Sequence, residues 1–413
     1  MLAVSIHFEG KSQVSTKPLT GLKVLEFSHT IMGPCAGLIL ADLGADVIKV
    51  EPAPDGDHTR RLPGFGAGFF AGFNRNKRSI AINLKRPEGR TTVHRLVKDA
   101  DVLIENYAPG TMERLGCGYA DLEVVNPRLI YLALKGFLAG PYEHRPALDE
   151  VVQFQAGLAY MTGPAGRPLR AGASVNDISG AIFGVTAALA ALRERDATGR
   201  GQRISSALFE SAAFFMVTHM AGTVASGHPP KPMPERRHAW AIYDVFNTSD
   251  DQIFIGVTSD KQWIRFTEEF GLAALGENPD LATNVMRASH RSWLIPAVQE
   301  VLAPLSKAVI AERCERAAVS WAPVGKPTDL FNDPHLASHG GLIDVAIRTP
   351  EGATEMTRLP AMPIEFGSQR ERPGLTRQPP HLGEHTNEIL ADAGFDRAEI
   401  DRLACEQVVV ASP

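Results

Sequence analysis

Residues 21–51 read GLKVLEFSHTIMGPCAGLILADLGADVIKVE. Two strand-length apolar runs, Gly21–Phe27 and Asp46–Glu51, bracket a segment that Gly33 and Pro34 open as a helix and Gly44 stops. Strand, helix and strand in that order imply a right-handed crossover and a parallel sheet.

The same rhythm extends toward the C-terminus. Strands are expected over 79–84, 101–105 and 129–134, with helices over 88–99 and 108–115 between them. This alternation defines an α/β class with helices on both sheet faces. Two longer helical patterns follow, about 149–161 and 176–193, and residues 204–209 lead into a third helix ending near Ala225. The stretch SGHPPKPMPERR (226–237) reads as a linker. Beyond it, strands at 242–246 and 252–256 and helices about 260–270, 292–302 and 306–318 form a smaller α+β unit. The expected division is an N-terminal extension (1–17), a large domain (18–225), a small domain with its linkers (226–330) and a C-terminal segment (331–413) that rejoins the large domain.

A chain of 413 residues exceeds one simple core. Its net charge of −5 and 22% charged residues argue against a nucleic-acid or anionic-membrane partner. The first 17 residues lack a signal-peptide pattern, and the apolar stretch Ile178–Leu192 ends in RERD and reads as a buried helix. A cytoplasmic chain is expected. Its four cysteines are far apart and read as reduced thiols; Cys35, at the start of a helix, is a small buried filler or a nucleophile.

Cofactor signals are missing where an α/β protein carries them. The first strand is followed by SHTIMGP rather than G-x-G-x-x-G, and the G-x-G-x-G string at 64–68 has no strand before it. No metal-ligand spacing occurs. Basic residues do cluster near the strand loops: Lys77 and Arg78, beside Asn76, before one strand, Arg114, and Lys135 directly after another. Singly each reads as a solvated charge; together they suit a phosphate-bearing ligand equally well. Asp177 is a lone carboxylate at the start of an apolar helix. Such a group is either an ordinary helix cap or a nucleophile kept ionised by the helix dipole and free amides.

Read in order, the segments resemble the class III CoA-transferase family, which includes formyl-CoA and carnitine-CoA transferases and α-methylacyl-CoA racemases. They are residues 19–60, FNRNKRSIAINLKRPEGR (73–90), DVLIENYAPGTMERLG (101–116), LKGF (134–137), NDISGAIFGVTAALAAL (176–192), PVGKPTDLFNDPHL (323–336) and PPHLGEHTNEILADAG (379–394). The resemblance implies a large Rossmann-like domain, a small domain from the middle of the chain and an interlocked homodimer. It implies Asp177 as the nucleophile, attacking an acyl-CoA thioester to give an aspartyl anhydride and then an aspartyl-CoA thioester. Coenzyme A enters as a substrate, with no tightly bound cofactor. Its contacts would fall on Thr30, Ile31, Met32, Asn106, Tyr107, Arg114 and Lys135, with Asn76, Lys77 and Arg78 in the same region.

The sequence departs from the family pattern twice. Leu148 stands where the racemase branch has a histidine, and leucine moves no proton, so a transferase is expected and a racemase is the alternative. Asp149 beside it either orients the site or caps its helix. The loop 236–242 lacks the glycine run of formyl-CoA transferases, and Trp240 there would help shape an acyl pocket. Arg170 pairs with the far carboxylate of a C4–C5 dicarboxylic acyl group or is a surface charge. A non-catalytic acyl-CoA-binding protein is the third reading.

Overall fold

The computed structural model describes residues 17–236, 239–349 and 352–410; the expected N-terminal extension lies almost entirely outside them, as do Arg237 and His238 of the small-domain loop. Two compact units result: one runs to Pro232 and resumes at Asp333, and Met233–Asn332 forms the other.

The first unit is built on a seven-stranded sheet. Its parallel strands are β1 (Lys23–Phe27), β2 (Asp46–Pro52), β3 (Arg78–Ile82), β4 (Val102–Glu105), β5 (Ile130–Lys135) and β6 (Gln202–Ala207). The order across the sheet is β3-β2-β1-β4-β5-β6, so the winding direction reverses between β1 and β4. In open α/β sheets the crevice outside the carboxyl ends of such a pair receives the ligand. The loops after Phe27 and Glu105 occupy that place. Burial on both faces explains why these strands read as near-continuous apolar runs. Val24, Val47, Ile104 and Leu132 pack on one side, and Leu25, Ile48, Leu103 and Tyr131 on the other.

On the first face lie the helices Met32–Asp42 and Val175–Thr198. The second is long and apolar enough, by length and composition, to cross a membrane. Within the unit, however, Gly180, Ala181, Gly184, Ala188 and Ala191 bury one side of it against the sheet and the first helix. Its other side leaves Ile182 and Phe183 exposed.

Several elements differ from expectation. The pattern 149–161 is two helices, Asp149–Gln155 and Leu158–Thr162, broken where Gly157 takes a left-handed conformation at φ 86°. In the second unit, β7 (Tyr243–Asn247) and β8 (Gln252–Gly256) pair antiparallel, and β9 (Ser320–Pro323), not legible as a strand, adds antiparallel to β8. A hairpin, β10 (Leu342–Arg348) and β11 (Thr354–Pro360), and a two-residue strand, β12 (Val409–Val410), were not legible either. β12 pairs antiparallel with β3 and closes the sheet edge.

The carboxyl half of β1 buries charge. Glu26, fully enclosed, sits 3.3 Å from Lys49 Nζ through Oε1 and 2.7 Å from Lys77 Nζ through Oε2. Lys49 completes its bonding with the Ser28 carbonyl and Asp57, each at 3.0 Å. Lys77 does so with the Pro34 carbonyl at 2.8 Å and Asn74 at 2.9 Å. Gly37 makes the approach of the Met32–Asp42 helix possible, since a Cβ there would come within 1.7 Å of Glu26 Oε2. Gly37→Ala is therefore expected to lower stability by about 2–4 kcal/mol through displacement of a buried ion pair. Gly68→Ala, whose Cβ meets nothing within 4 Å, serves as the control with a change under about 1 kcal/mol. Equilibrium urea unfolding of the two variants measures the contrast.

Candidate active site

Asp177 lies in the first turn of the Val175–Thr198 helix, half-buried. The expectation was that the free amides of this terminus would serve its carboxylate. They are already taken. Asp149, first residue of the helix Asp149–Gln155, accepts from the Asn176 N–H at 2.7 Å and from the Asp177 N–H at 3.1 Å, both on Oδ2. The Gln153 side-chain amide donates to Asp149 Oδ1 and accepts from the Ala171 N–H at 2.8 Å. Asp149 thus caps the helix that carries Asp177 as well as beginning its own.

The consequence for Asp177 is electrostatic. Burial, followed by the nearby charge of Asp149, pushes its carboxyl up to about 7, against the opposing pull of Arg170. The dipole expectation therefore requires correction: among the described residues no side-chain donor reaches the Asp177 carboxylate, and a second acid stands beside it. Arg170 is held by Glu150 and donates to the Ala171 carbonyl at 2.8 Å. Cys35 is buried, its thiol pushed up to about 12 mainly by burial, which suits the filler reading and not a nucleophile.

At the sheet's switch point, Thr30 holds φ 67°, a strained value for a β-branched residue, and its hydroxyl lies 2.8 Å from His29 Nδ1. Asn106 clamps the loop, accepting the His29 N–H at 3.0 Å and donating to the His29 carbonyl at 2.8 Å. Tyr107 stacks on His29 with ring centroids 5.6 Å apart. Lys135 bonds Glu105 at 2.6 Å and the Tyr107 carbonyl at 2.9 Å. Arg114 is exposed and donates to Thr111. Ile31 and Met32 are buried, and Met32 Cε packs where a Cβ on Gly180 would come within 2.4 Å. The start of the helix Met32–Asp42 and the helix of Asp177 are thereby in direct contact.

Asn76, Lys77 and Arg78 are engaged inside the protein. Asn76 and Lys77 precede β3, and Arg78 is its first residue. The Lys77 ammonium is enclosed by Glu26, Pro34 and Asn74. Asn76 binds Asp42 and the backbone of Gly374, Thr376 and Arg377. Arg78 is paired with Asp46, Glu388 and Asp392. Asn76 and Arg78 line a cavity of about 440 Å³ at the amino edge. The rule about residues after strands instead selects Lys85, exposed three residues past β3, together with His29; the sequence reading missed both. Leu148 is 69% exposed at the cap position of its helix. Trp240 belongs to the second unit, where it packs 5.1 Å from Tyr243.

Residues 19–386 match the profile of CoA-transferase family III. The chain belongs to that family. An acyl-CoA transferase of Fusarium pseudograminearum is 35% identical over 95% of this chain and 88% of its own length. A succinate–glutarate CoA-transferase of Agrobacterium fabrum is 34% identical over 91% of this chain and 95% of its own. A CAIB/BAIF family protein from Brucella suis, solved as a crystal structure, superposes with a TM-score of 0.80 at 33% identity, covering 92% of this CoA-transferase and all of that chain.

The raised Asp177 also affects stability. The folded chain keeps its proton up to pH near 7, while the unfolded chain releases it in the ordinary carboxylate range, so stability falls as pH rises between the two. Asp177→Asn removes that loss. Its gain over the wild type is expected to be about 2 kcal/mol larger at pH 8 than at pH 5, measured by chemical denaturation at both values.

Proposed function

We propose that this CoA-transferase exchanges coenzyme A between an acyl-CoA and a C4–C5 dicarboxylate through covalent intermediates on Asp177. The observation that carries this reading is the half-buried carboxylate in the first turn of the Val175–Thr198 helix, a helix that packs through Gly180 on Met32, where the loop after β1 enters its helix. Low local polarity raises the energy of its ionised form and makes it a stronger nucleophile than a carboxylate in water.

The steps balance without ATP. Asp177 attacks the thioester carbonyl, the C–S bond breaks, and CoA leaves as thiolate from a mixed anhydride. The thiolate attacks the aspartyl carbonyl and releases the first acid as its carboxylate. The second acid's carboxylate then attacks the aspartyl-CoA thioester, forming a new anhydride, and the thiolate takes the new acyl group and frees Asp177. The loop Thr30–Met32 with Asn106 and Tyr107 frames the coenzyme, and Arg114, Lys85 and Lys135 supply positive charge along the carboxyl edge. Arg170 is the cation for the far carboxylate, exchanging Glu150 for substrate. The Agrobacterium relative's dicarboxylate substrates support that class.

A homodimer is part of the same reading. Ile182, Phe183, Phe214, Phe215 and Met220 leave an exposed apolar surface on the first unit, suited to a second copy of the chain.

The test incubates the protein with succinyl-CoA and glutarate, malate, mesaconate or itaconate, and follows new CoA thioesters by mass spectrometry. Transfer is expected for at least one acid, falling by about 10³-fold or more in Asp177→Ala. Arg170→Met should cost a dicarboxylate acceptor about tenfold more than a monocarboxylate of the same length. Solvent deuterium entering the α-carbon of a 2-methylacyl-CoA with no CoA movement would overturn the transferase reading.

A further inference from the structure

Three donors converge on the Asp149 carboxylate: the Asn176 and Asp177 amides on Oδ2 and the Gln153 side chain on Oδ1. Gln153, wholly buried, turns its oxygen to the Ala171 N–H at 2.8 Å. A carboxylate only accepts, so the Gln153 NH₂ must face Asp149 and its oxygen must face Ala171. Ser174, at the cap position of the Val175–Thr198 helix, makes no side-chain cap. The cap comes from a different helix, and it fixes the backbone on both sides of Ser174.

We propose that Asp149 and Gln153 are positioning residues for the transfer reaction: their bonds to Ala171, Asn176 and Asp177 aim the nucleophile's first turn and withhold its amides from the Asp177 carboxylate. This rests on the reading of Asp177 as the nucleophile. The arrangement sets the charge of Asp149 beside Asp177, where it adds to burial, the larger cause, in opposing ionisation. Around Asp177 the other charged or titratable groups are Arg170 on the preceding loop and Cys35 on the Met32–Asp42 helix. Lys135 and Arg203 face the sheet's other side with Glu105 and Tyr131. Glu210, on the neighbouring helix Leu208–Phe215, accepts from the Leu138 amide.

The bond directions permit a rescue test that separates aim from mere stability. In Asp149→Asn the new side chain still accepts from the Asn176 and Asp177 amides, but its NH₂ confronts the NH₂ of Gln153. Adding Gln153→Glu restores the chain of bonds, because the carboxylate it introduces accepts both from that new NH₂ and from the Ala171 amide. The double variant also moves the negative charge one helical turn from its original place. The readout is adduct formation on Asp177 in quenched single turnovers with succinyl-CoA, glutaryl-CoA and acetyl-CoA, by intact mass, between about pH 5 and pH 9.

Wild-type adduct formation should rise with pH through about 7 and level above it. Asp149→Asn is expected to move that midpoint down by about one pH unit and lower the plateau rate about 10–100-fold. Asp149→Asn/Gln153→Glu should recover about tenfold of the plateau while its midpoint stays below the wild-type value. A lowered thermal midpoint with an unmoved pH profile and no recovery in the double variant overturns the proposal. A wild-type protein that forms adducts whose rate and pH dependence survive both substitutions also sinks it, and leaves Asp177 as nucleophile. No adduct on the wild type with any of the three thioesters overturns the nucleophile reading itself, and this proposal with it.

Discussion

Glu26 has no route to water, and the layout of the catalytic face follows from how its charge is met. Two lysines reach it, one from β2 and one from the segment before β3, and Asp57 shares Lys49, so two negative and two positive groups balance inside the fold. Such a cluster contributes little net stability against an apolar core of equal volume, but losing any one member leaves an unmatched buried charge. Its value is geometric. Lys49 holds the Ser28 carbonyl and Lys77 holds the Pro34 carbonyl, so the loop after β1 is pinned at both ends. Between those points Thr30 adopts its left-handed conformation and Met32 reaches Gly180. A strained loop persists when its surroundings over-determine it, and here the ion cluster and the Asn106 clamp do so.

What the sequence made legible follows from which residues had unambiguous surroundings. The parallel sheet was readable because strands buried on both faces are rich in apolar residues and alternate with helical segments. Asp177 stood out because one acid at the head of an apolar helix has no ordinary explanation beyond a cap. The ion cluster was hidden: Glu26 and Lys49 alternate with apolar residues as they would on a strand with one wet face, and only the covering helix makes them interior. β9 was masked by its own Pro323, tolerated because the strand lies at the end of a three-stranded sheet. β12 is too short to carry any pattern.

The partners of Asn76, Lys77 and Arg78 were hidden for a different reason: each binds residues distant in sequence, Asp42, Glu26 and Asp392 among them, which no local pattern reports. Lys85, three residues past β3, is exposed. The Asp149–Asp177 relationship was invisible for another reason: the two acids are far apart in sequence and meet through backbone amides, which no side-chain pattern reports.

That meeting resolves an apparent contradiction in the site. A helix N-terminus favours a carboxylate, yet here it serves Asp149 and leaves Asp177 near neutrality at pH 7. A nucleophile fully stabilised by two amides would be a weak one, since those bonds must be given up as its charge passes to the thioester oxygen. In the mechanism proposed above, assigning the amides to Asp149 keeps the terminus rigid and leaves the Asp177 oxygens unencumbered for attack. The cost falls on stability, where Asp177 opposes folding as it ionises. Under the same proposal the benefit comes with a bound thioester, because the charge that burial and Asp149 disfavour on Asp177 is the charge that attack would remove.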